Sequence, residues 1–148
     1  RLINNVAFRA LFLIGTPAVS AAARVSRLTR SRESETKHLA VLTLGQIAHH
    51  VPDLCVEPLA SALNDPLCCR DALRALAFIG QDAIGALDRV KPLFSDSHAK
   101  TRKAAVVTAA AIDVTDSEVV ELLRTAVSDR SKIVRDTARR CLKTVRPT

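Results

Sequence analysis

The sequence is poor in the residues that build aromatic pockets and sheet cores. It has no Trp, no Tyr and no Met, and only four Phe, although 48% of its residues are apolar. The apolar residues are therefore mainly Ala, Leu and Val, which suit closely packed helices. A β-sandwich would need more aromatic and β-branched residues alternating with polar ones. The composition predicts an all-α protein.

Long apolar runs are also missing. No stretch reaches the roughly 18 uninterrupted apolar residues of a membrane span, and the opening "RLINNVAFRALFLIG" has no cleavage site of a signal peptide. We therefore expect no membrane partner. Because there is no Met even at the start, we expect the chain to be a fragment of a longer protein.

The cysteines lack the spacing of a metal site or a disulfide framework. Cys55, Cys68, Cys69 and Cys141 form no Cys-x-x-Cys pair. Adjacent cysteines make a poor disulfide, and a free thiol among apolar neighbours behaves as a small hydrophobe. The pattern predicts free thiols and a reducing, cytoplasmic compartment.

Catalytic motifs are not found either. Gly80 and Gly85 are not followed by the Lys-Ser or Lys-Thr of a phosphate loop, and the four His share no metal spacing. His49-His50 with Cys55 comes nearest to a ligand cluster, but surface histidines at a helix end are the simpler interpretation. No Ser or Cys has an evident base nearby. We predict a protein that is not an enzyme and has no cofactor, metal or small-molecule substrate.

What the sequence does have is an internal repeat. The segments "NVAFRALFLIG" (residues 5–15), "ETKHLAVLTLG" (35–45) and "RDALRALAFIG" (70–80) align, and two weaker copies start at Arg102 and Arg135. Units beginning near residues 1, 33, 66, 98 and 131 make a single array over 1–148. A period of 30 to 35 residues indicates stacked helical units, since one hairpin cannot bury its apolar stripe alone.

Each unit is predicted to contain a helix A, a turn, a helix B and a loop. Gly15, Gly45 and Gly80 are expected to end helix A, since glycine tolerates the left-handed conformation. Pro17 suits the first turn of a helix B, and Thr115 or Asp116 can cap another.

The recurring residues resemble the HEAT-repeat superfamily, in particular the short repeats named after phycobilisome lyases. The similarity rests on Leu44-Gly45-x-Ile47, on "VEPL" at residues 56–59 and on "DRSKIVR" at residues 129–135. It implies a right-handed α-solenoid of antiparallel helical hairpins with about four and a half repeats.

An Asp or Asn precedes the Arg of several units by six residues. The resemblance implies that these side chains form a structural ladder along the loops, with the acid bonding the backbone or an Arg. The set comprises Asn64, Arg70, Asp96, Arg102, Asp129 and Arg135. In repeat two the loop looks about two residues shorter, and Lys37, six residues after Ser31, is a candidate for the place of the Arg.

The charge favours acidic partners, because the net charge is +7 and the pI is near 9.8. The resemblance places the B helices on the concave face, where the candidate partner-binding residues are Arg24, Arg27, Arg89, Lys91 and Arg124. The leading hypothesis is therefore a non-catalytic protein-binding scaffold for an acidic partner segment.

Other functions remain open at this stage. Nucleic acid could bind through its phosphate backbone, although single-strand binding usually needs aromatic stacking residues. Tubulin binding ranks lower because the turns between helix A and helix B are acidic and lack Trp. A bilin lyase-like helper is suggested only by the repeat subtype.

Overall fold

The structure, a computed structural model, describes residues 18–48 and 50–145. The predictions for Gly15, Pro17 and His49 lie outside these residues. The helices are α1 Ala18–Leu28, α2 Ser34–Ile47, α3 Pro52–Ala62, α4 Cys69–Ile79, α5 Leu87–Val90, α6 Ala99–Asp113, α7 Ser117–Ala126 and α8 Lys132–Leu142. Short 3-10 segments, Gly80–Ala86 and Lys91–Ser95, flank α5. The described residues contain no strand, so the all-α prediction is confirmed.

The helices form two layers that follow the order of the chain. The A layer is α2, α4, α6 and α8, each packed on the next. The B layer is α1, α3, the helical segment 80–95 and α7, which also pack in order. We call the outer surface of the B layer the helix-B side. Stacking of successive hairpins in chain order confirms the predicted α-solenoid.

The core repeats with the helices. Ala40-Val41, Ala72-Leu73 and Ala105-Val106 are fully buried at equivalent places in α2, α4 and α6. The small alanines let the A helices approach closely, while each buried Leu or Val stabilises the fold by about 1.5–3 kcal/mol. These buried pairs therefore align the units with one another without reference to their polar residues.

Glycine does not end every helix A as predicted. Gly80 follows α4 with φ 72°, where residues other than glycine are strained, so the prediction is correct there. It is wrong at Gly45, because α2 continues to Ile47 and its C-cap, Ala48, has ordinary helical angles. In the register of the buried residues Ala48 corresponds to Gly80. Gly45 has a packing role instead, since a Cβ there would lie 3.1 Å from the Cβ of Ala75.

Two other local features bear on the surface described below. The Asp116 side chain caps α7, its Oδ1 accepting a hydrogen bond from the Val119 N–H at 2.9 Å, which confirms one of the two predicted caps. The segment 80–95 is irregular, and it contains Gly80, Gly85 and Pro92, which disfavour a continuous α-helix.

Within the part of the chain that is described, no helix is both long enough and apolar enough to cross a membrane.

Candidate functional site

Two arginines of α1, a helix of the B layer, are exposed. Arg24 and Arg27 stand three residues apart, so they are neighbours on the helix surface. Neither side chain makes a hydrogen bond or ion pair with another residue of the described ranges 18–48 and 50–145. Among the five predicted partner-binding residues, these are the two whose side chains have no acidic partner in the described residues.

The other three predicted cations of the helix-B side already have acidic partners. Arg89 Nη1 donates to Glu57 Oε1 at 2.9 Å, and Arg124 Nη1 donates to Glu121 Oε1 at 2.6 Å. Lys91 is largely covered, with 12% of its side chain exposed, and its Nζ donates to Glu118 Oε2 at 2.7 Å. The hydrogen bond to Glu118 raises the pKa of Lys91, and the nearby Asp116 raises it further.

Two of these ion pairs join neighbouring units. Glu57 belongs to α3 and Arg89 to the next B segment, while Lys91 and Glu118 link that segment to α7. The pair of Arg124 with Glu121 lies within α7. The five predicted cations therefore have different local roles, which composition cannot distinguish because it does not show the acids of neighbouring units.

The second candidate region is the loop edge, formed by residues 29–33, 63–68, 96–98 and 127–131, which lead from each helix B to the next helix A. Arg102, at the start of α6, is almost completely buried there. Its Nε and Nη2 donate to Asp129 Oδ2 and Oδ1 at 2.8 and 2.9 Å. Its Nη1 donates to the carbonyl oxygens of Asp96 and Ser97 at 2.8 and 3.1 Å.

This pairing shifts both partners toward their charged forms. The hydrogen bond from Arg102 lowers the pKa of Asp129, and burial opposes that shift. The same bond raises the pKa of Arg102. Arg102 thus ties its own loop to the loop that enters the following unit.

Arg135 and Lys37 repeat parts of this arrangement. Arg135 Nη1 donates to the carbonyls of Asp129 and Arg130 at 2.8 and 3.1 Å, the same local pattern as Arg102. Lys37 Nζ donates to Asp65 Oδ2 at 2.5 Å. Lys37 therefore occupies the place that an Arg has in the later units.

Asn64 and Arg70, by contrast, are exposed and take no part in these bonds. The loop acid is Asp65, whose Oδ1 accepts from the Leu67 N–H at 3.0 Å, as Asp96 accepts from His98 and Asp129 from Ser131. Because the prediction aligned Arg70 with Arg102, it placed the loop acid at Asn64, one residue before Asp65. The missed signal was the local turn, in which an Asp binds the N–H two residues on.

The described cysteine and histidine side chains do not form a metal centre. Within residues 18–48 and 50–145 there is no group of three or more His, Cys, Asp or Glu side chains that could hold a metal ion. Burial raises the pKa of the Cys55 thiol to about 11, which disfavours a nucleophilic thiolate. His38 Nε2 and Asp71 Oδ2 lie 2.9 Å apart, but this pair links α2 to α4.

Comparison with known proteins gives structural neighbours alone. No family model matches the sequence, and no curated protein matches it. A crystal structure of an engineered protein aligns with TM-score 0.70 and 24% identity over 82% of this chain and 61% of that one. A designed armadillo repeat protein bound to a (KR)4 peptide aligns with TM-score 0.71 and 21% identity over 84% of this chain and 64% of that one.

The chain has a HEAT/armadillo-like helical-repeat fold. A further designed armadillo repeat protein aligns with TM-score 0.67 and 21% identity over 83% of this chain and 63% of that one. The present helical-repeat array thus spans less than two thirds of these structures.

Proposed function

We propose that the helical-repeat array is a non-catalytic protein-binding scaffold that holds an acidic segment of a partner on its helix-B side. The observation that carries this proposal is the pair Arg24 and Arg27, exposed on α1 without an acidic partner in the described residues. Guanidinium groups bind carboxylates through two parallel hydrogen bonds. A segment with several carboxylates would engage both arginines.

The shape of the fold supports this class of function. Solenoids bind through extended surfaces rather than enclosed pockets. The designed armadillo neighbour is bound to a (KR)4 peptide, so a protein of similar fold presents a surface for a peptide. That peptide is basic. Here the net charge is +7, and we assign a peptide of the opposite charge.

We also propose a reducing, cytoplasmic setting for the scaffold. All four cysteines are free thiols, and three of them are buried among apolar side chains. A disulfide therefore contributes nothing to the described fold, which suits a compartment that keeps thiols reduced.

The test measures binding of a fluorescent deca-glutamate peptide. The double variant R24E/R27E is expected to bind about tenfold more weakly or worse, because each reversal replaces an attraction by a repulsion. The control R74E/K103E makes the same charge change on exposed residues of α4 and α6 and is expected to bind within about twofold of the wild type. Equal losses in the two variants would contradict the assignment of the helix-B side.

The basic charge keeps duplex nucleic acid as the second candidate, bound through its backbone. A DNA duplex measured beside the peptide separates the two. Tighter binding to the duplex, with an affinity that falls steeply as salt rises, would favour nucleic acid. Peptide binding that persists at physiological salt would favour the protein partner.

A further inference from the structure

At the loop edge, a cation at the start of one helix A bonds the acid of the next loop, and we call such a pair a joint. One of these joints lacks its cation. Lys37, Cys69 and Arg102 occupy equivalent places, since each lies three residues before the buried Ala-aliphatic pair of its helix. Lys37 bonds Asp65 and Arg102 bonds Asp129, in both cases the acid of the next loop. Between them, α4 presents the small thiol of Cys69 where its neighbours present a cation.

Asp96 is the acid left at this joint. Its turn is formed like the others, because its Oδ1 accepts from the His98 N–H at 2.7 Å. Its side chain is 27% exposed, compared with 12% for Asp129, which Arg102 covers. The His98 ring approaches Asp96 at 3.3 Å, but that ring is 82% exposed. The charge of Arg102 also acts on Asp96, but its guanidinium bonds the Asp96 carbonyl oxygen and not the carboxylate. The carboxylate is therefore held in place and open to an external cation.

A cleft opens between the two loops of this joint. It is an open space of about 750 Å³ bordered by both members of the incomplete pair, Cys69 and Asp96. Leu63, Pro66 and Leu93 form part of its lining. Such side chains suit the methylene stem of a long charged residue, whose head group can then reach a carboxylate. We call this space the Cys69 cleft.

The rim of the Cys69 cleft has the opposite charge. Arg70 and Lys100 both line it and are exposed, and neither bonds an acid among the described residues. Two rim cations repel a lone cation that approaches Asp96. A ligand must therefore bring carboxylates for the rim together with a cation for the interior.

We propose that the Cys69 cleft binds an arginine side chain of a partner protein in which acidic residues flank that arginine. The guanidinium pairs with Asp96 in the place of the missing cation, and the flanking carboxylates pair with Arg70 and Lys100. The chain contains an example of this pairing, since the Asp129 carboxylate accepts two hydrogen bonds of 2.8 and 2.9 Å from the guanidinium of Arg102. The proposal rests on the proposed protein-binding function but uses the loop edge instead of the helix-B side.

The experiment compares two synthetic peptides, Glu-Glu-Arg-Glu-Glu and the same peptide with citrulline in place of arginine. Citrulline keeps the shape of the side chain and removes its charge. The wild-type chain is expected to bind the arginine peptide about tenfold more tightly. D96N keeps the oxygen that accepts from His98 but loses the charge, so its preference for arginine should vanish. D82N, the same change at an exposed residue outside the cleft, should keep the preference.

A second variant fills the Cys69 cleft from within. C69R supplies a guanidinium to Asp96 and is expected to lose the preference while remaining folded by circular dichroism. If C69R does not fold, D96N decides alone. Equal binding of the two peptides by the wild type, no binding of either, or a preference that survives in D96N would overturn the proposal.

The two proposals fail in different ways. R24E/R27E leaves Asp96 and the Cys69 cleft unchanged, so the preference for arginine over citrulline should persist in that variant. Loss of deca-glutamate binding on R24E/R27E with no arginine preference in the wild type would reject the cleft and keep the helix-B side. An arginine preference with no effect of R24E/R27E on deca-glutamate binding would do the reverse.

Discussion

Arg102 is a buried charge whose hydrogen bonds are made entirely inside the protein. Its side chain is 5% exposed and that of Asp129 is 12% exposed. Removing charges from water is costly, and a buried pair is tolerated when bonds satisfy both groups, as the bidentate contact and the two carbonyl oxygens do here. The contribution of the pair to stability is therefore best seen when one partner is removed and the other is left buried without its bonds.

We predict that R102M destabilises the protein by about 3 kcal/mol, because it leaves the Asp129 carboxylate buried without its partner. Urea unfolding followed by circular dichroism measures the change. The control R74M removes an arginine that is 80% exposed and should change the free energy of unfolding by no more than about 0.5 kcal/mol. A loss in R102M as small as that in R74M would show that the pair has no structural role.

The lowered pKa of Asp129 predicts a dependence of stability on pH. Its contribution is complete above the ordinary Asp pKa of about 3.9 and is lost as the pH falls through the lower value in the folded protein. D129N should therefore lose less stability than the wild type on acidification from about pH 5 to pH 2, as measured by urea midpoints. Part of the slope should remain, because Asp65 and Asp113 also have lowered pKa values. Identical slopes in the two proteins would contradict the prediction.

At the residue scale the repeated Asp-to-Arg spacing located Arg102, Asp129 and Arg135, whose bonds the structure shows. The same spacing selected Asn64 and Arg70, which are exposed and make none of these bonds. The loop before α4 reaches the equivalent helix position in four residues, from Asp65 to Cys69, whereas the loop before α6 needs six, from Asp96 to Arg102. An alignment on residue identity cannot detect a cation replaced by a thiol.

At the scale of the elements, the apolar period predicted the helices well because each helix A buries the same stripe. Helix ends were less predictable. An α-helix can end with ordinary angles, as α2 does at Ala48, so the repeated glycine does not mark the same backbone event in each unit. The conformation of Gly80 alone requires glycine among the described residues.

We predict that G80A destabilises the protein by about 1–3 kcal/mol, because alanine is strained at φ 72° and ψ −134°. Gly85 provides the matched control in the same segment. A Cβ at Gly85 would meet no atom within 4 Å, and its φ is not positive, so G85A should be neutral or slightly stabilising. Thermal unfolding of both variants measures the difference. If G85A costs as much as G80A, the backbone of Gly80 is not the cause.

At the scale of the molecule, the array is held together by contacts between successive units. Besides the ion pairs, the buried hydroxyl of Thr108 in α6 donates to the carbonyl of Leu73 in α4 at 2.9 Å. In a one-dimensional stack of this kind, stability is nearly a sum of units and their joints. The stacking of the units in chain order was therefore predictable from the repeat. The acidic partners of Arg89 and Lys91 were not predictable, since they depend on how adjacent units are offset.

This linear arrangement predicts that weakening one joint opens the units beside it more than distant ones. Cys141 lies in α8, beyond the Arg102–Asp129 joint, and the fully buried Cys55 lies in α3, two units away. R102M should therefore increase the rate of alkylation at Cys141 by a larger factor than at Cys55, because local opening exposes the thiol. Timed alkylation with peptide mass spectrometry measures both rates in one sample, and R74M gives the baseline. Equal factors at the two thiols would mean that the array opens as a single cooperative unit, in which case the joints do not act independently.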